Sequence, residues 1–244
     1  MPDSGFAHFF DGEVKLLLAQ QTIPHDETLL SAAEEAFFKA PEHAKAQLAL
    51  GTVHFVRAQS LMSDQEAIRA NFSGEYAANL DNAEREAQAA FEFYDRVIAN
   101  GPQTEIYGVP VDAMAKVARS MAVRRQSEVW AYRLDYERAF AELSSAIEST
   151  EDAIATLEAS PVAQKDFRLL SQAYQALGSF YFQQEWYLTN RFDRADDGNM
   201  AKQNSIDAFE KCIQLGEEFP FDTYMVEEII GKLCQPILDQ LTSS

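Results

Sequence analysis

Arg124 and Arg125 are the residues whose type and spacing most suggest chemistry. They lie between Lys116 and Arg138, where six basic side chains (Lys116, Arg119, Arg124, Arg125, Arg133, Arg138) stand against three acidic ones (Glu128, Asp135, Glu137). This is the only clearly basic stretch in a chain of formal net charge −19. A guanidinium offers a planar fork of donors that fits a carboxylate or a phosphate, so adjacent arginines can build an anion site. The same charges can instead pair within the molecule. Residues 63–96 carry eight acidic against three basic side chains, and residues 142–160 carry five acidic and no basic ones. At the level of sequence both readings stand.

Other chemistry has less to rest on. None of the four histidines (His8, His25, His43, His54) has a His, Cys or carboxylate at a metal-ligand spacing. Asp193 to Asn199 resembles a calcium loop only superficially. Ala195 fills a place that needs a ligand, and Asn204 stands where the bidentate glutamate belongs. There is no glycine-rich phosphate loop and no Gly-x-Ser-x-Gly elbow. The expectation is a protein without catalytic residues, metal or cofactor. Phe180, Tyr181, Phe182, Trp186 and Tyr187 form an aromatic cluster that is either core packing or, at Trp186, the wall of a pocket.

The elements that must position these residues are helices. Alanine, leucine, glutamate and glutamine are abundant, glycine is scarce, and most of the eight prolines punctuate apolar runs. Phe6, Phe9, Phe10, Val14, Leu17 and Leu18 recur at three- and four-residue spacings and predict one apolar helix face over about 5–20. Asp26 is placed to cap a second helix, which Pro41 ends. A third helix runs past Met62, and a fourth ends at Asn100-Gly101-Pro102. A fifth is expected over 110–133 and a sixth over 136–159, after a tight break at Leu134-Asp135. A seventh follows over 163–191. Asp196 to Asn199 reads as a surface turn before an eighth over 200–216, and a ninth covers 223–241. The result is an all-α chain of about nine helices, forming a single domain over 1–244.

So acidic a surface repels phosphate backbones and anionic membranes, which argues against nucleic acid and membrane insertion. Cys212 and Cys234 each lie in an apolar helical pattern, which predicts two buried small side chains rather than a disulfide. The start lacks a basic segment followed by a long apolar one, so a soluble cytoplasmic protein is expected.

A repeated pattern runs through these helices. Gln47, Leu50, Gly51 and His54 set a Leu-Gly pair between residues three before the leucine and three after the glycine. Tyr174, Leu177, Gly178 and Tyr181 repeat it with aromatics outside. Ala90, Tyr94, Val97 and Pro102 form a second-helix pattern, partly repeated by Ser205, Phe209 and Cys212 and by Ala139, Leu143 and Ala146. Together they resemble tetratricopeptide (TPR) repeats. The clearest copies cover about 43–102, 120–153 and 171–220, with 222–242 as a C-terminal capping helix.

The resemblance implies a right-handed TPR-like solenoid of antiparallel helix hairpins with a concave groove. It places Leu48, Thr52, Phe55 and Val56, then Arg124, Glu128, Ala131 and Tyr132, then Gln175, Ser179, Phe182 and Gln183 along that groove. The lysine and asparagine pattern by which chaperone-binding TPR domains hold a terminal carboxylate is missing. The resulting expectation is an adaptor or scaffold that binds a segment of another protein, through Arg124, Arg125, Glu128, Tyr132, Phe55, Phe182 and Trp186. A homo-oligomer is compatible with it. The alternative is a small-ligand accessory protein whose long insertions close the groove into a pocket. The longest insertion, Leu61 to Ala89, is where protein-specific function is expected.

Overall fold

The computed structural model describes residues 5–21, 25–41, 43–62, 74–100, 105–106, 109–159 and 166–243. Among them the chain is almost wholly helical. The first helices are α1 (Gly5–Ala19), α2 (Glu27–Phe38), α3 (Ala44–Met62) and α4 (Gly74–Ala99). A two-residue antiparallel ladder, Glu105–Ile106 with Val109–Pro110, leads into α5 (Val111–Tyr132). Then come α6 (Tyr136–Ala159), α7 (Phe167–Asn190) and α8 (Ala195–Glu218). The last element begins as a π-helix, Met225–Cys234, and continues as α9 (Gln235–Ser243). The part of the Leu61–Ala89 insertion at residues 63–73 lies outside the described residues.

Local chemistry sets the boundaries. Asp26 Oδ1 accepts from the backbone N–H groups of Thr28 and Leu29, at 2.9 and 3.1 Å, and so caps α2 as its position predicts. Asp166 caps α7 and Asp135 caps α6 in the same way, at 3.0 and 3.1 Å. Leu134 turns the chain between α5 and α6 with φ at 64°. Its side chain is exposed, so nothing buried is disturbed by this left-handed residue.

Each helix packs on the one before and the one after it. The first members of successive pairs (α1, α3, α5, α7 and the π-helix) also touch in series. Close approach within pairs depends on small residues. Phe37 occupies the space a Cβ on Gly12 would need, Tyr94 does so at Gly51, and Phe209 presses on Gly178. At the corresponding place in α5, Ser127 Oγ donates to Ala139 O at 2.7 Å, which satisfies a buried hydroxyl across the α5–α6 contact. Three clusters make most of the core: α1–α3 with Phe93, a central one over α4–α8, and a C-terminal one around Phe209 and Met225.

Three expectations are corrected. Cys212 and Cys234 are both fully buried, as their pattern requires, but they are bonded to each other and tie α8 to the π-helix. Their sequence separation of 22 hid a spatial contact that only helix packing creates. Asp196 to Asn199 is not a turn but the start of α8. Asp196 and Asp197 sit in the first helical turn, where carboxylates favour the free N–H groups, and Gly198 is buried against Thr189 of α7. The apolar face of α1 is divided: Phe9 is buried, whereas Phe6, Phe10, Val14, Leu17 and Leu18 are exposed. Among the described residues, no helix is long and apolar enough to cross a membrane.

Candidate binding face

The candidate site is built on α5. Met114, Ala118, Met121, Arg125, Glu128 and Tyr132 follow one another at spacings of three and four, so they form one stripe. The first five are half-buried and Tyr132 is exposed. A matching stripe on α3 holds Lys45, Leu48, Thr52 and Phe55, also half-buried. Glu13 and Leu17 of α1, and Gln20 just past its end, continue the surface. Where α1, α3 and α5 meet, Leu16, Leu17, Leu48, Ala49 and Met114 line an open cleft of about 250 Å³. Lys45, Glu13, Gln20 and Thr52 supply its polar part.

Further along α5, two arginines converge on one carboxylate. Arg125 Nη1 donates to Glu128 Oε2 at 2.5 Å. Arg124 Nε lies 3.1 Å from Glu128 Oε1, but off the hydrogen-bond direction, so the contact is ionic and that N–H is left without an acceptor. The Arg125 guanidinium stands 5.9 Å from the ring centre of Phe55, which links α5 to α3. Arg124 stands 5.8 Å from that of Phe180, which links α5 to α7.

Burial lowers the Arg124 pKa, with Arg125 adding repulsion and Glu128 opposing both. The Tyr132 hydroxyl is raised by burial and then by the Glu128 charge. Tyr187 lies beneath the cluster, 1% exposed, and is raised chiefly by burial. Gln183 Nε2 donates to its hydroxyl at 3.4 Å, while Gln183 Oε1 is buried without a partner. A spare donor on α5 and a spare acceptor on α7 thus belong to the same neighbourhood.

The structure therefore brings Arg124, Arg125, Glu128, Tyr132 and Phe55 together and places the other two candidates elsewhere. Phe182 packs into the C-terminal cluster with Phe209. Trp186 belongs to an aromatic group with Tyr136 and Tyr187, under the Arg191 guanidinium at 4.9 Å. Most of the remaining basic stretch pairs with acidic helices. Lys116 meets Asp152, Arg119 meets Asp95, and Arg133 meets both Asp81 and Glu84. Arg138 lies over the Trp130 ring at 3.4 Å.

The repeat pattern places Leu48 and Thr52 on this face but gives no sign that α1 is its neighbour, so the cleft at Leu17 and Met114 is visible only in the fold. There Gly12 forms with Phe37 the same small-residue and aromatic contact as Gly51 with Tyr94. Among the described residues, no group of three or more His, Cys, Asp or Glu is arranged to hold a metal ion. Comparison with protein-family models, with curated proteins and with solved structures finds no match to this chain.

Proposed function

We propose that this chain is a non-catalytic binding protein of TPR-like architecture, an adaptor that holds a segment of another protein along the face of α1, α3, α5 and α7. The observation that carries this reading is the convergence of Arg124 and Arg125 on Glu128, about three turns along the same stripe of α5 from an apolar cleft at Met114. One carboxylate between two guanidinium groups leaves a net positive charge on an otherwise acidic protein. An incoming segment with an apolar side chain for the Leu48–Met114 cleft and a carboxylate for Arg125 matches that arrangement. The openness of the cleft favours such a segment over a small molecule sealed inside the protein. The Cys212–Cys234 bond favours an oxidising compartment over the cytoplasm expected from sequence.

The test is affinity capture from the source cells followed by mass spectrometry, comparing wild type with Leu48→Asp and Arg125→Glu. A protein retained by wild type and lost from both variants supports the reading. Capture unchanged in both variants rules it out.

A further inference from the structure

Among the described residues no helix lies against the outer face of α1, and at its centre Val14 corresponds to a position that is buried in every later pair. Counting from the small residue of each first helix (Gly12, Gly51, Ser127, Gly178), Val14 stands where Val53, Val129 and Phe180 stand. Those three are 0% exposed, whereas Val14 is 54% exposed. By the same count Leu18 stands where Arg57 and Arg133 stand. Both arginines reach the second helix that precedes them: Arg57 pairs with Glu27 and Glu34 of α2, and Arg133 with Asp81 and Glu84 of α4. The equivalent surface of α1 therefore has the form of one half of a helix–helix interface. Phe6, Phe10, Val14, Leu17 and Leu18 are all between 45% and 62% exposed there.

We infer that this face pairs with the same face of a second copy of the chain, as an antiparallel α1–α1 contact about a two-fold axis. Three observations favour this occupant. The first is spacing. Phe6, Phe10, Val14 and Leu18 are separated by four residues each, so the ridge is self-complementary when reversed about residue 12. Phe6 then meets Leu18 of the second copy, and Phe10 meets Val14. The second is charge. The chain carries −19, but α1 holds only Asp11 and Glu13 against Lys15, with Lys15 bonded to Asp11 at 2.6 Å. Two copies can approach here with little repulsion, unlike at the acidic helices. The third is area. Counting about 200 Å² for an aromatic side chain, the five residues expose roughly 500 Å² per copy, so these residues alone can bury up to about 1,000 Å² in a pair, the threshold for a specific interface. The incoming Leu18 also reaches the open cleft of about 320 Å³ beside Phe6, Ala40 and Pro41. The proposed interface meets the binding face at Leu17.

The experiment is light scattering or sedimentation equilibrium on the whole chain at tens of micromolar. Wild type is expected at twice the chain mass of 27.4 kDa. Phe10→Glu and Val14→Glu are expected at 27.4 kDa with unchanged helical circular dichroism, because both side chains are exposed in the folded chain. Phe221→Glu, at a 95% exposed position at the opposite end of the chain, is expected to stay dimeric. Wild type at the single-chain mass overturns the proposal. So does a mass that climbs with concentration past two copies, since that would signal a head-to-tail contact, or a dimer that persists in both α1 variants.

Discussion

Tyr94 of α4 fills the space that a Cβ on Gly51 of α3 would need. The tyrosine is 1% exposed and its hydroxyl donates to Thr52 Oγ1 at 3.4 Å, so the ring has nowhere to retreat. The glycine therefore sets how closely the two helices approach.

Gly51→Ala gains up to about 1 kcal/mol of helix propensity but costs about 1–3 kcal/mol of overpacking. A net loss of up to about 2 kcal/mol is expected after the propensity gain is set against the overpacking. At Gly178 the nearest Phe209 ring atoms lie 3.0 Å from the Cβ position, so a shift of a few tenths of an ångström accommodates a methyl. Gly178→Ala is expected within about 1 kcal/mol of wild type. Urea denaturation of the two variants checks the ranking, and equal effects would show that Tyr94 is not the obstacle.

Glu128 holds two arginines apart, one of them deeply placed between α5 and α7. Glu128→Gln keeps the shape and removes the charge, leaving Arg124 and Arg125 to repel in a partly desolvated site. A loss of about 1–3 kcal/mol is expected. Adding Arg124→Gln to that background should restore part of it. A double-mutant cycle with a coupling below about 0.5 kcal/mol would show that the cluster contributes nothing as a unit.

How much was legible in the sequence follows from the range of each interaction. Asp26 and the Leu134-Asp135 break were readable because caps and turns depend on a few neighbouring residues. Helix periodicity likewise placed α5 and α6 within a residue or two. What failed depends on packing between helices. The acids at Asp196 and Asp197 look like a turn until their place at a helix N-terminus is known. For the site, Arg124, Arg125 and Glu128 are separated by three and four residues, so their pairing was local and readable in principle. That Phe182 points to the C-terminal cluster and Trp186 to Arg191 depends on where the π-helix and the end of α7 settle.

The Cys212–Cys234 bond closes a loop of 22 residues that includes the Phe219–Asp222 turn. Removing such a cross-link by Cys212→Ser with Cys234→Ser is expected to cost about 3 kcal/mol, largely through a freer unfolded chain. Both sulfurs are buried, so the native protein should resist alkylation and mild reductant, and should take up two alkyl groups only after reduction in denaturant. Mass spectrometry of alkylated samples distinguishes this from a pair of free thiols, which denaturant alone would expose.

Tyr174 and Tyr181 of α7 both donate to carboxylates of α6, Glu158 and Glu151, each at 2.5 Å. Burial first, and then these carboxylates, raise both hydroxyls above the ordinary tyrosine value near 10. A group whose pKa is raised by folding stabilises the fold fully below its unfolded value. That contribution fades as pH climbs from about 10 toward the folded value, because the unfolded chain loses the proton first. Both side chains are only half-buried, so solvent screens the effect and each bond contributes about 1 kcal/mol at most. Tyr174→Phe and Tyr181→Phe should therefore lower the urea midpoint at pH 8 and approach wild type above pH 10.5. Fully buried Tyr94 is also raised, by burial, but it is present in every variant and cancels in the comparison. Midpoints that stay parallel from pH 8 to 11 would show that these tyrosine–carboxylate bonds do not link α6 to α7 in solution.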